Sequence, residues 1–279
     1  MIWLMVSRQG LTYMTAAPPI SVFIIAHNEE DRIARAIRSV ESFADEVIVV
    51  DSGSTDQTVR RAESRGARVL VNPWPGYGAQ KRFAEDQCRN DWLFNLDADE
   101  AATTSLAEEI KTLAACGALE RAPFWRVRIR DVFAHESGPA AWAYGYNQIR
   151  LYDRTKGRFS ASPVHDTVRP PKGAAIAQLE GAMAHRSIRS VAFHVEKMNR
   201  YSTMQADDMA ARGRRIGRWR LVTEFPLAFL KAYVLRRYAL YGWWGLVIST
   251  NFAYTRFLRL AKTYEAELLA KSARQEPPE

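Results

Sequence analysis

Residues 46–56 read EVIVVDSGSTD. Four consecutive β-branched residues follow Glu46, and the run stops at Asp51-Ser52-Gly53-Ser54. A short apolar run bounded by turn residues is the pattern of a buried strand. Gly53 allows a tight turn, and the hydroxyls with Asp56 suit the start of a helix, expected over 55–65. The same unit precedes it. Residues 21–26, SVFIIA, read as a strand, and residues 28–43 place Ile33, Ala36, Ile37 and Val40 at helical spacing. Asn28 is the expected cap of that helix, with Glu29, Glu30 and Asp31 at its positive end. The unit also repeats downstream: a strand at 67–71 (ARVLV), a helix at 80–88, and a strand at 92–96 (WLFNL) that ends at Asp97. Strands alternating with helices predict an α/β fold, a mostly parallel sheet with helices on both faces. Ligands of such sheets bind at the carboxyl ends of the strands, where each polar motif of this chain falls.

Beyond Ala101 the pattern changes. A helix is expected over 106–115 with Gly117 as its stop, then strands over 123–133 and 148–152. Pro163 and the Pro170-Pro171-Lys172-Gly173 stretch mark loops. From 194 to 273 the chain reads as helix, interrupted around 213–217 and at Pro226. The expected organisation is a tail over 1–17, a main domain over 18–193 divided near 115, and a helical, basic extension over 194–279. Residues 1–14 lack the positive start and the long apolar run of a signal peptide, and Met14 opens a more typical start, so 1–13 read as a loose tail or an over-extended frame.

Composition narrows the function classes. A hydrophobic content of 47% excludes wholesale disorder. Cys88 and Cys116 fit neither a disulfide framework nor metal-ligand spacing, which suits a reducing compartment. The net charge of +8 is concentrated late: Arg212, Arg214, Arg215, Arg218, Arg220, Lys231, Arg236 and Arg237 are accompanied by the single acid Glu224. Such a segment predicts an anionic partner, a membrane surface or a nucleic acid.

The strand-end residues carry the chemistry. In Asn95-Leu96-Asp97-Ala98-Asp99-Glu100, an extended chain would point Asp97 and Asp99 to one side, where two carboxylates suit a hard divalent cation bound to a diphosphate. A solvated acidic turn is the bland alternative. Asp51 can accept hydrogen bonds from a ribose or base, or simply shape its turn. Ala26-His27-Asn28-Glu29-Glu30 opens a helix in any case, and nucleotide contact would be additional.

Taken together, SVFIIAHNEE, ADEVIVVDSGSTDQT, the stretch from Gly76 to Lys81 and DWLFNLDADE resemble the family 2 glycosyltransferases, in family order and at family spacing. The chain is most similar to the bacterial branch that adds sugars to the lipopolysaccharide core, the β-1,4-glucosyltransferases. Weaker matches follow at Gln148-Ile149-Arg150-Leu151-Tyr152, Val164-His165-Asp166, His185-Arg186-Ser187 and residues 237–245. Asp166 stands where the branch usually has Glu, and Tyr241-Gly242 where it has Asp-Gly. The resemblance implies a GT-A fold and an inverting transfer from a nucleotide sugar, UDP-linked, to a glycan or lipid-linked acceptor in envelope polysaccharide synthesis. It implies a donor site of Ala26, Asn28, Glu29, Asp51, Ser54, Lys81 and Asp97, with Mg²⁺ or Mn²⁺ held by Asp99 and Asp97. Gln148 and Arg150 would lie on the acceptor side. The general base would be Asp166, with Asp153 and Glu136 as alternatives, and His165 beside it at the metal or a phosphate.

Residues 238–255, YALYGWWGLVISTNFAYT, contain no charge but hold two glycines, Ser249, Thr250 and Asn251. An interfacial or buried helix is expected rather than a spanning one, with Trp243 and Trp244 suited to a headgroup boundary. Peripheral attachment to the cytoplasmic face of a membrane follows. Nucleic-acid binding is the different-class alternative, favoured by charge alone, since no stacking, zinc or recognition-helix pattern is present, and none is expected as a partner. A binding module that has lost catalysis is the third, opposed by the intact Asp97 and Asp99.

Overall fold

The computed structural model describes residues 17–160, 167–214 and 216–272. They form two compact units. The first runs to Val132 and adds Ser137–Pro139 and Gly145–Ser187.

Its centre is β1 (Ile20–Ala26), flanked by β2 (Glu46–Asp51) and β4 (Trp92–Asp97), both parallel to it, with β3 (Arg68–Val71) parallel outside β2. A strand covered on both faces has no solvent side, which is why SVFIIA and EVIVV show no polar alternation. On one face α1 (Ile33–Arg38), α2 (Thr58–Glu63) and α4 (Thr104–Ala115) bury Ile33, Ile37, Ala62, Leu106 and Ile110 against Val22, Ile24, Phe94 and Leu96. On the other, α3 (Tyr77–Gln87) brings Ala84 to Phe23, Ile48, Val50 and Leu93.

Antiparallel strands widen the sheet. β7 (Gly145–Asp153) lies between β4 and β6 (Phe124–Asp131), antiparallel to both. Next comes β10 (Ile176–His185), parallel to β6, and at the edge β5 (Glu100–Ala102), antiparallel to β10. A separate ribbon pairs β8 (Arg158–Phe159) with β9 (Val168–Arg169). The sequence pattern missed β5, β8, β9 and β10. β10 reads IAQLEGAMAH, in which alanine and glycine dilute the alternation that Leu179 and Met183, both buried, carry.

Two helix starts differ from expectation. Asn28 does not cap α1, which begins at Ile33 after Arg32. Its backbone is left-handed, with φ 57°, and its side-chain oxygen accepts from Thr55 N at 2.9 Å. The polar residues there serve the neighbouring loop instead of the helix. α2 begins at Thr58, whose N–H donates to Asp56 Oδ1 at 2.9 Å, as the sequence suggested for Asp56.

The second unit comprises Phe133–Glu136, Ala140–Tyr144 and the chain from Ile188. It thus takes in two short stretches, and residues 188–193, from the span read as the main domain. It contains α5 (Val191–Ala211), α6 (Arg220–Leu230) leading into a π turn at Lys231–Leu235, a 3₁₀ turn at Tyr238–Tyr241, and α7 (Gly242–Ser272). Pro226 sits inside α6 and does not interrupt it. Phe133, Ile188, Ala232, Tyr238 and Ile248 form this unit's core. Gly245 is required there, because a Cβ would come within 1.7 Å of the Tyr238 carbonyl oxygen. No described helix is long and apolar enough to cross a membrane.

Candidate active site

The loops after β1 and β2 are stitched together. Ala26, buried at the end of β1, accepts from Ser52 N at 2.9 Å. Ser54 Oγ accepts from Asn28 N at 2.8 Å and donates to Asp51 Oδ1. Glu29 N donates to Thr58 Oγ1 at 2.7 Å. Asp51 is buried, and its Oδ2 also accepts from the N–H groups of Gly53 and Ser54 at 2.8 and 2.7 Å. Asp51 therefore fixes the shape of its own turn, whatever else it contacts. Gln80, on α3, ties in the same loop by donating to Ser52 Oγ at 3.0 Å.

α3 carries two buried charges one turn apart. Glu85 anchors the helix, accepting from Tyr152 Oη at 2.6 Å and Arg158 Nε at 2.8 Å. Lys81 is then held with its Nζ 2.9 Å from Asp97 Oδ1 and over the Phe159 ring. On the other side of Asp97, Arg150 Nη2 lies 2.9 Å from Oδ2 and 2.7 Å from Glu100 Oε1, while its Nη1 donates to Asn95 Oδ1. Glu100 Oε2 accepts from Asp97 N at 3.0 Å. Arg150 and Glu100 are 2% and 1% exposed, and Asp97 is 29% exposed. Two cations thus face two carboxylates at the end of β4, and only Asp97 reaches solvent. Burial alone would raise the Asp97 carboxyl, but Arg150 and Lys81 outweigh it and hold the group well below the usual range. Burial dominates at Glu100 and pushes it up.

Two expectations are corrected here. Arg150, expected on the acceptor side, is buried, with its guanidinium engaged by Asn95, Asp97 and Glu100. Asp97 and Asp99 do not share one side, because the extended chain stops at Asp97 and a turn carries Asp99. Asp99 Oδ2 instead faces His185 Nε2 at 3.5 Å and Arg32 Nη1 at 3.9 Å. Asp131 Oδ1 lies 3.4 Å from His185 Nδ1. Burial would lower the His185 pKa, but Asp131 and Asp99 raise it well above the usual histidine value. Arg32, 6% exposed, links this group to the first loop through Glu29 Oε2 at 2.7 Å from its Nε.

The base candidates separate clearly. His165 and Asp166 lie outside the described residues. Asp153 pairs in register with Trp92, at the opposite end of β4 from Asp97. Five strand residues span about 17 Å, so Asp153 is too far to serve a reaction at Asp97. Its carboxylate holds its own turn, accepting from Thr155 N and Oγ1 at 2.8 and 2.7 Å. Glu136 belongs to the second unit and accepts from Phe133 N at 2.9 Å. Gln148 lines a pocket of ≈ 180 Å³ with Arg126, Asn147, Ile149, Thr167 and Val168. Sequence reasoning missed Arg32, Glu100 and the use of His185. The His185-Arg186-Ser187 match was the signal for the last, and no pattern marked Arg32.

The chain has relatives among known proteins. The sequence model described as Glycosyl transferase family 2 matches residues 21–118. An uncharacterized glycosyltransferase of Rickettsia typhi (strain ATCC VR-144 / Wilmington) is 42% identical over 260 residues, covering 91% of this chain and 89% of its own. The chain belongs to glycosyl transferase family 2. This glycosyltransferase is also 34% identical over 265 residues to the lipopolysaccharide core biosynthesis glycosyltransferase LpsC of Rhizobium meliloti (strain 1021), with 90% of this chain and 94% of that one covered. Among solved structures, glucosyl-3-phosphoglycerate synthase from Mycobacterium tuberculosis is similar over 76% of this chain and 88% of its own, at 21% identity and a TM-score of 0.43. A likeness that distant says nothing of this glycosyltransferase's own ligands.

Proposed function

We propose that this glycosyltransferase moves a sugar, with inversion, from a UDP-sugar to a glycan or lipid-linked acceptor of the bacterial envelope. The carrying observation is Asp97, the partly exposed carboxylate that Lys81 and Arg150 fix at the end of β4, beside the stitched loops of Asn28, Asp51 and Ser54. The LpsC name supports the envelope acceptor.

Asp99 and His185 fit a divalent metal. Carboxylate oxygen with imidazole nitrogen suits Mn²⁺ better than Ca²⁺. Among the described residues no group of three or more His, Cys, Asp or Glu side chains is placed to hold an ion. Two protein ligands are enough for an ion that takes its other ligands from phosphates and water. Such an ion would neutralise charge on a leaving diphosphate.

In the transfer, the acceptor hydroxyl oxygen bonds to the anomeric carbon and the bond to the diphosphate oxygen breaks. The electron pair leaves with UDP, and the hydroxyl proton passes to a carboxylate. Asp166 is the proposed base. Asp166→Asn is expected to lower turnover by roughly 10² to 10⁴ with UDP-sugar affinity unchanged. Asp153→Asn should leave both turnover and affinity near normal, and steady-state kinetics with calorimetry distinguishes the two variants. The donor reading is tested by thermal-shift screening of nucleotide sugars with and without Mn²⁺. At a ligand concentration 100 times Kd, stability should rise by about 2.7 kcal/mol. No stabilisation by any UDP-sugar would refute it.

The second unit is the proposed membrane contact. Trp219, Val222, Leu235, Leu240 and Trp243 are exposed there, Trp243 by 85%, alongside exposed Arg214, Arg218, Lys231 and Arg237. Exposed apolar side chains among cations match an anionic leaflet. Not every arginine is available: Arg212 pairs with Asp208, Arg220 with Glu224, and Arg236 stacks between Tyr144 and Phe252. Sedimentation with anionic vesicles should show binding that weakens with salt and is reduced by Trp243→Ser. Binding to neither anionic nor neutral vesicles would sink the idea, as would salt-sensitive capture of DNA or RNA alone.

A further inference from the structure

We infer that Arg126, Arg128 and Arg130 form an anion-binding row that takes an acidic acceptor sugar, one bearing a phosphate or carboxylate. The inference rests on the transfer reading above and gives the acceptor a chemical class.

β6 reads FWRVRIRD, and its alternation sorts the side chains. Val127 and Ile129 are fully buried in the core that also holds Leu106 and Ile110 of α4. The three arginines therefore project from the opposite face, the face of Phe124, Tyr152 and α3. In register, Arg126 lies opposite Ile149, Arg128 opposite Asn147 and Arg130 opposite Gly145. The register shifts between Trp125 and Arg126, which leaves Arg150 unmatched on β7 and reaching Asn95 and Asp97 on that same face. The row is two strands from β4, about 10 Å at the usual strand spacing, roughly the span of a sugar and its substituent.

Several features keep the row open and uncompensated. On β10 the partners of Arg128 and Arg130 are Ala182 and Ala184, too short to cover them. On β7, a Cβ at Gly145 would lie 2.9 Å from the Ile129 carbonyl oxygen and 3.2 Å from the Cγ of both Arg128 and Arg130, so glycine gives the paired strand and the arginine stems room. Arg150, Arg154 and Arg158 each have a carboxylate partner. Among the described residues, none of the three β6 arginines has one, and Arg130 Nε is buried without a hydrogen-bond partner. The nearest acid along β10, Glu180, is exposed and forms no ion pair with them among the described residues. Like charges in one row repel each other, and an anion between them offsets the repulsion. Guanidinium forks match phosphate and carboxylate oxygens in pairs. The ≈ 180 Å³ pocket at Arg126, with Asn147 and Gln148 in its lining, adds neutral hydrogen-bonding groups beside the row.

Calorimetry on the full chain at low salt, with glucose-6-phosphate, glucuronate and glucose as probes, tests the assignment. At least one acidic sugar should bind and glucose should not. Arg128→Ala with Arg130→Ala should weaken that binding at least about tenfold, the equivalent of one charged hydrogen bond. Gly145→Ala, which keeps every charge, should weaken it several-fold. UDP affinity in the presence of Mn²⁺ should be unchanged in both variants, which also reports that they fold. Failure of both acidic sugars to bind overturns the row, as does equal affinity in the double variant. Displacement of the acidic sugar by UDP would assign the arginines to the donor and likewise overturn it. Binding of acidic sugars without any binding of UDP would refute the donor reading and leave the row standing.

Discussion

Replacing Arg150 by alanine is expected to destabilise the protein by about 3–5 kcal/mol, the usual effect of removing one partner from a buried ion group. Arg150 faces Asp97 and Glu100 at 2.9 and 2.7 Å, and Lys81 supplies the only other cation that contacts Asp97 among the described residues. Without Arg150 one carboxylate charge is left buried and uncompensated. Glu100 should then take up a proton, because burial already raises its pKa even with Arg150 present. A carboxyl raised in the folded state binds protons more tightly there than in the unfolded chain. Its penalty is absent below the unfolded value and grows as pH rises towards the folded one. The deficit of the variant should therefore be largest at pH 8 and shrink as pH falls towards 5. Urea denaturation across that range measures it. A loss below about 1 kcal/mol, or one independent of pH, would show that the cluster is not held as described. Arg150→Met combined with Glu100→Gln removes both charges and should recover part of the loss.

That prediction could not have been made from sequence. The parallel strands were legible because central strands, buried on both faces, must be continuously apolar, as SVFIIA and EVIVV are. The motif ends were legible for the same reason, since polar residues resume where the sheet stops. What sequence lacked was partners. Arg150 is 55 residues from Asn95, and only the β4–β7 pairing brings them together. A rule of alternation placed Asp97 and Asp99 side by side, but a strand's geometry holds only while the strand continues. Asp153 looked like a candidate base because residue type carries no address, and the register puts it at the wrong end of the sheet. β10 escaped notice because alanine and glycine dilute its alternation, and two of those alanines, Ala182 and Ala184, leave Arg128 and Arg130 uncovered.

Asp99→Ala is expected to lower turnover by at least about 10², since a metal at a leaving diphosphate supplies several kcal/mol of charge stabilisation. The fold should survive: Asp99 is 15% exposed, in a turn beyond β4, and its backbone oxygen still accepts from Arg186 N at 2.8 Å. Near-ultraviolet circular dichroism and UDP-independent stability check that point. The proposal that His185 shares the metal with Asp99 makes a sharper demand. Imidazole binds a metal only when it has shed its proton, so binding releases a proton and weakens as pH falls. Asp131 and Asp99 raise the His185 pKa well above the usual value against the effect of burial. In the metal-free protein this group adds stability below its unfolded value, and that stability is lost as pH rises through the folded one. Metal binding should run the opposite way, tightening as pH rises. Titration of Mn²⁺ into the UDP complex, followed by electron paramagnetic resonance at pH 6 and pH 8.5, should show that slope. His185→Gln should bind Mn²⁺ more weakly at the higher pH and show a flatter response. If His185→Gln keeps both the affinity and the slope, the metal is held elsewhere. If Asp99→Ala keeps near-normal turnover that chelators do not affect, the reaction needs no metal at this turn.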